Sequence, residues 1–144
     1  TKFGEPEVRF GTGIVAMLLP WITGPKQAKQ ILLSGEDKIT AADALTMGIV
    51  NKVVPDQTVV TEALETAHNI AKAGERAVRL TKQAINNSYE AMGFNQALKS
   101  SLNLDVLLNA VPDPLKEEFS RIRSEKGLKA AIEWRDKRFT HQPK

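Results

Sequence analysis

Leu33-Ser-Gly-Glu-Asp-Lys-Ile-Thr-Ala-Ala-Asp-Ala-Leu-Thr-Met-Gly-Ile-Val-Asn-Lys-Val-Val-Pro55 is the stretch on which the fold turns. Thr40-Ala-Ala-Asp43 has the spacing of a capping box. A hydroxyl there accepts from a backbone N–H three residues on, and a carboxylate reaches back. A short helix through Leu45 and Met47 should follow and stop at Gly48. Ile49-Val-Asn-Lys-Val-Val54 is rich in β-branched residues and reads as a short strand, ended by Pro55. Upstream, Pro25 suits a first helical position, Ala28, Ile31 and Leu32 share a face, and Gly35 can end that helix.

Outward from this stretch the chain changes character at Pro55. Before Gly24, Phe3-Gly-Glu-Pro-Glu-Val-Arg-Phe-Gly11 reads as extended chain and turn, with Glu5 pushed out of the α region by Pro6. The run from Ile14 to Leu19 is apolar and suits a buried helix or a buried strand equally, since periodicity cannot separate them at this length. After Pro55 helical stripes dominate. Val60, Ala63, Leu64, Ala67, Ile70 and Ala71 form one, ending near Gly74. Ala77, Leu80, Ala84 and Ser88, flanked by Val78, Ile85, Tyr89 and Met92, form a second, interrupted by Gly93. A third runs from Phe94 to Leu108. Asp113-Pro114 supplies an N-cap and first-position proline for a helix bearing Leu115, Phe119 and Ile122. Ser124 is expected to cap a last helix carrying Leu128, Ala131, Ile132 and Arg135. Helices apolar on more than one side commonly pack on partner subunits as well as on their own core.

Composition closes off several chemistries. The 144 residues contain no cysteine, which removes disulfides, thiolate ligands and a thiol nucleophile. His68 and His141 are far apart and lack ligand spacing, so no metal site is expected. No apolar run is long enough to span a bilayer and the first residues lack a signal-type segment, which makes a cytoplasmic location the expectation. The net charge of +3 is uneven: residues 121–144 carry +5, leaving −2 for the rest. A basic end can meet a phosphate-bearing ligand, or be a solvated helix face. Trp134 and Phe139 among Arg135, Lys137 and Arg138 could stack on a base, but a core or interface anchor is the commoner use.

The candidate for chemistry is Glu7. A carboxyl among apolar groups has its charged form disfavoured, so it can deliver a proton near neutrality. Val8, Phe10 and the apolar run starting at Ile14 could provide that setting. From the residues alone, pairing with Arg9 or helix capping is the commoner use of such a glutamate. Phosphate loops, dinucleotide fingerprints and nucleophile elbows are absent from the sequence.

Phe3-Gly-Glu-Pro-Glu7 resembles the Phe-Gly-x-Pro-Glu element of the enoyl-CoA hydratase/isomerase (crotonase) family. The stretch from Leu33 to Pro55, the helix Leu80-Thr-Lys-Gln-Ala-Ile85 and the ending from Glu125 to Phe139 are similar to family segments, in the same order. The resemblance implies an α/β fold: the end of a ββα spiral core over residues 1–54, then a helical oligomerisation region over 55–144, mostly α in this chain. It implies homotrimers, often paired into hexamers, and a coenzyme A thioester as substrate with no separate cofactor. Neither nucleic acid nor a membrane is expected as a partner.

Under that resemblance Glu7 is the carboxyl that exchanges a proton with the α-carbon of an enoyl-CoA during hydration. Double-bond isomerisation, another CoA-enolate reaction and a non-catalytic oligomerisation module are the alternatives. The second glutamate and the oxyanion-hole segments lie upstream in the family, so an N-terminal half of the same enzyme is an expected partner. Trp134, Arg135, Lys137 and Arg138 are candidates for contact with CoA, by stacking or by charge. Two departures stand out. Family hydratases follow the Pro-Glu element with a glycine-rich Pro-Gly-x-Gly-Gly-Thr-Gln-Arg turn, whereas this chain has Gly11-Thr-Gly-Ile-Val-Ala-Met-Leu-Leu-Pro-Trp21. Trp134 also stands in a helix where the family often has Phe or Lys near the adenine.

Overall fold

The computed structural model describes residues 1–13 and 17–139. Ile14, Val15 and Ala16 of the apolar run lie outside the described residues, as do His141 and Lys144. The run therefore stays undecided over its first half, while Leu19 opens a helix.

Two short strands tie the start of the chain to its middle. β1 (Lys2–Phe3) pairs antiparallel with β2 (Ile39–Thr40), Phe3 opposite Ile39. The Glu5 N–H continues the attachment by donating to the Glu36 carbonyl at 2.8 Å. Between the strands run a 3₁₀ turn (Glu7–Phe10), α1 (Leu19–Thr23) and α2 (Pro25–Ser34). Pro25 starts α2, where its missing N–H costs nothing. Gly35 ends it at φ 63°, a left-handed conformation that a Cβ makes expensive.

The capping box closes as its spacing demands: the Asp43 N–H donates to Thr40 Oγ1 at 3.2 Å, and the Thr40 N–H donates to Asp43 Oδ2 at 3.3 Å. α3 (Ala41–Thr46) follows. Ile31 from α2, Ile39 from β2 and Ala44 from α3 meet in a small core. Phe3, Leu19, Met47, Ile49 and Val50 pack around it. Ile31 is 2% exposed, and burying a side chain of that size is worth about 1.5–3 kcal/mol.

Four longer helices complete the chain: α4 (Val59–Ala71), α5 (Glu75–Ala91), α6 (Phe94–Ala110) and α7 (Pro114–Lys137). Gly93, at φ 91°, turns α5 into α6. Asp113 caps α7 by accepting from the Leu115 N–H at 2.8 Å. α7 is broken at Gly127 (φ 86°, ψ 166°), so it is two helical pieces end to end.

Two expectations fail. Ile49–Val54 forms no strand. The Ile49 and Val50 N–H groups, which a ladder would need, both donate to the Ala44 carbonyl and finish α3. The two strands present among the described residues are paired with each other. Ser124 caps no helix either. It sits inside α7 with its hydroxyl donating to the Ser120 carbonyl, and the break falls at Gly127 because that backbone geometry suits glycine alone.

The helical part is thinly covered. The chain exposes 10934 Å², about half as much again as the ~7,300 Å² that a compact globule of 15.9 kDa presents. Val60 (70%), Leu104 (63%), Val106 and Leu107 are among the large apolar residues left open on α4 and α6.

Gly35 tests how tightly this arrangement grips the 3₁₀ turn. A Cβ there would lie 2.6 Å from Arg9 Cγ. Gly35→Ala should lower the unfolding free energy by about 1–2 kcal/mol from the left-handed backbone alone, and more if Arg9 cannot give way. Urea denaturation measures this; an unchanged midpoint would refute the packing described.

Candidate active site

Glu7 opens a four-residue turn whose backbone is fixed at both ends. Pro6 precedes it at φ −82°, and Gly11 closes it at φ 70°. A Cβ on Gly11 would lie 2.8 Å from Asp113 Oδ2, so the glycine also permits the close approach of the α7 cap. The Glu7 carbonyl accepts from the Thr12 N–H at 3.2 Å and from Thr12 Oγ1 at 2.9 Å. Its carboxylate is treated differently. Oε2 is buried and has no hydrogen-bond partner among the described residues.

Arg9 is not that partner. Its Nε donates to the Ser34 carbonyl at 3.0 Å, and its Nη1 lies 3.7 Å from Asp37 Oδ1. The pairing of Glu7 with Arg9 that the sequence allowed is thereby removed. Glu5 lies beside Glu7 instead. Partial burial, then the neighbouring Glu7 carboxylate and a hydrogen bond to it, raise the Glu5 pKa above its ordinary 4.5. All of these causes disfavour the charged form of Glu5.

The basic helix end is split between two environments. Arg135 is 6% exposed, and its guanidinium lies 4.2 Å from the Phe10 ring centroid. Its Nε and Nη2 donate to Asp136 Oδ1 at 2.8 and 2.5 Å. It therefore faces the Glu7 turn from inside. Arg138 is exposed and lies 5.1 Å from the half-buried Trp134 ring. Lys137 is exposed on the same last turn. Sequence reasoning missed Phe10, Phe119 and Arg9 as the scaffold of the turn. Phe10 stacks edge-on against Phe119 at 5.3 Å, and Arg9 lies over Phe139 at 5.0 Å. Phe10 and Phe119 carry no motif; only their meeting across the fold reveals them.

Beyond the turn, Trp21, Tyr89 and Phe94 cluster at centroid distances of 5.3–6.1 Å, joining α1 to the α5–α6 corner. A groove of about 390 Å³ runs between Gly13 and Met17 on one side and Ala97, Leu104 and Leu108 of α6 on the other. Bulky apolar groups thus stand near the residues that follow Glu7. Among the described residues no His, Cys, Asp and Glu cluster could hold a metal, and no helix is long and apolar enough to cross a membrane.

Comparison with known proteins places the chain in a family. The sequence model for enoyl-CoA hydratase/isomerase matches residues 1–142. A solved enoyl-CoA hydratase/isomerase from Xanthobacter autotrophicus Py2 is 45% identical and superimposes with a TM-score of 0.91, over 98% of this chain and 52% of that one. A crotonyl-CoA hydratase from Syntrophomonas wolfei is 40% identical over 94 residues, 62% of this chain and 35% of the relative. A short-chain-enoyl-CoA hydratase from Clostridium acetobutylicum is 37% identical, with the same coverage. The chain spans from about a quarter to half the length of the curated relatives it matches, 28% in one case and 51% in another. The family model over nearly the whole chain and the structural match show that the chain belongs to the enoyl-CoA hydratase/isomerase family and carries part of the crotonase fold.

Proposed function

We propose that this chain is the Glu7-bearing part of an enzyme that adds water across the double bond of an enoyl-CoA. The observation that carries this reading is the Glu7 carboxylate, whose backbone is fixed while Oε2 is buried without a hydrogen-bond partner among the described residues. An unsatisfied buried oxygen costs about 1–3 kcal/mol, a cost that persists in a structure where a ligand or a reacting proton uses the group.

In the proposed reaction the oxygen of water bonds to the β-carbon as the C=C π bond breaks. The electron pair moves towards the thioester oxygen as an enolate, and the α-carbon takes a proton from the Glu7 carboxyl. The proton lost by water passes to a second carboxylate. That carboxylate, and the backbone N–H groups that stabilise the enolate oxygen, belong to the N-terminal half of the enzyme. Trp134, Lys137 and Arg138 are proposed to face the nucleotide end of CoA, by stacking and by charge on its phosphates. Arg135, buried against Phe10, is left out of that role. The open apolar residues of α4 and α6 are proposed to be covered in a homotrimer, with trimers pairing to hexamers. Their extent suits the few thousand Å² that permanent interfaces bury.

Three outcomes are expected. In the full-length enzyme Glu7→Gln should lower kcat for a short-chain enoyl-CoA about 10²–10⁴-fold, the range of general acid–base catalysis, with CoA thioester binding retained. Steady-state kinetics with a binding titration measures this, and undiminished turnover would end the assignment. Sedimentation of the full-length enzyme should give a trimer or hexamer; a monomer at micromolar concentration contradicts the proposed covering of α4 and α6. Glu5 makes a pH prediction. Because its pKa is raised on folding, it favours the folded state below its ordinary 4.5, and disfavours it increasingly as pH rises through the raised value. Glu5→Gln should therefore stabilise the protein at neutral pH relative to the parent and not at about pH 4. Urea midpoints at the two pH values check the sign.

A further inference from the structure

We infer that Arg135 is a positioning residue for Glu7, acting through the Phe10 ring; this rests on the proposed role of Glu7 and deepens it. Glu7 and Phe10 are the two ends of one 3₁₀ turn. In such a turn side chains at i and i+3 eclipse, so Phe10 stands on the same side as Glu7, about 6 Å further along. Whatever fixes the Phe10 ring fixes the face on which the Glu7 carboxyl stands.

The ring is held from two directions. Phe119, on the first piece of α7, meets it edge-on at 5.3 Å. Arg135, on the second piece, covers it with its guanidinium at 4.2 Å. The break at Gly127 separates the two pieces and lets one helix supply both contacts. Arg135 is buried and its charge is met by Asp136 Oδ1, so the guanidinium plane is locked before any substrate arrives. Ala131, one turn earlier on the same face, is fully buried. A planar cation suits a ring face better than an ammonium does, and desolvation strengthens the contact. A small displacement of a reacting group is costly: about 1 Å can lower the rate 10²-fold.

The test uses the full-length enzyme and an enoyl-CoA substrate. Arg135→Met keeps bulk and removes the charge; kcat should fall about 10–100-fold while KM changes less than about threefold. Arg135→Lys should recover part of the loss, since it restores the cation without the plane. Phe10→Leu should reproduce the kcat defect, and Arg135→Met combined with Phe10→Leu should be no worse than either alone. A merely structural role would lower the melting temperature and active fraction without this split or this non-additivity. The inference is overturned if Arg135→Met keeps kcat within about twofold while Glu7→Gln abolishes turnover. A rise in KM at constant kcat also overturns it, because Arg135 would then bind the anionic end of the substrate. If Arg135→Met does not fold, Phe10→Leu decides alone: unchanged kcat refutes the coupling. Turnover that survives Glu7→Gln removes the underlying reading of Glu7, whatever Arg135 does.

Discussion

The four-residue turn from Glu7 to Phe10 is wedged between α2 and α7, and most of what is specific to this chain follows from that wedge. Arg9 reaches back over Gly35 to the end of α2 and donates to Ser34. Phe10 reaches the other way, into the pair formed by Phe119 and Arg135. Two neighbouring side chains thus anchor one turn to the middle and to the end of the sequence. Both anchors depend on glycines: Gly35 leaves room for the Arg9 stem, and Gly11 leaves room for the Asp113 cap. The Glu7 carbonyl is satisfied locally by Thr12, while its Oε2 has no hydrogen-bond partner among the described residues.

Energetically the two halves of the chain differ. Around Ile31, Ile39 and Ala44 there is a true interior, small but closed. Along α4 and α6 apolar residues outnumber what their helix neighbours cover, and the chain exposes about half as much again as a compact globule of its mass. Surface ion pairs such as Arg121 with Glu118 and Glu125 do little to offset this, because water screens exposed charges and the long side chains lose freedom in pairing. The helices form because their local sequences favour helix and their ends are capped or turned by Asp113, Gly93 and Gly74.

How much of this is legible in the sequence follows from the range of each interaction. Thr40 and Asp43, Asp113 and Pro114, and Gly35 act within one helical turn, so residue type and spacing alone disclose their roles. Ile49–Val54 misleads because β propensity describes a residue, whereas a strand needs a partner and unused N–H groups. Ser124 misleads for a related reason: a serine hydroxyl inside a helix can bond back to the carbonyl four residues earlier, so its residue type alone does not mark a cap. Glu7 can be singled out through its motif, but its release from Arg9 cannot, since Ser34 and Asp37 are some 25 residues away and compete for the guanidinium. Phe10 with Arg135 spans nearly the whole chain, and nothing local marks it.

The cations at the end of α7 show why net charge alone is a poor guide to ligand contact. Arg135 and Arg138 differ by three positions, less than one helical turn, and by charge alone either could meet an anion. Burying a guanidinium costs several kcal/mol unless a carboxylate and a polarisable face replace water. Asp136 and the Phe10 ring supply both for Arg135, so its charge is already committed within the protein. Arg138 keeps its solvent and stacks on Trp134, a contact that leaves its N–H donors available in the plane of the guanidinium. An exposed planar cation beside an indole can meet an anion at little cost, whereas a buried one would first have to surrender its partners. One basic segment therefore divides into an inner cation that holds the Glu7 turn and outer cations that can meet a ligand.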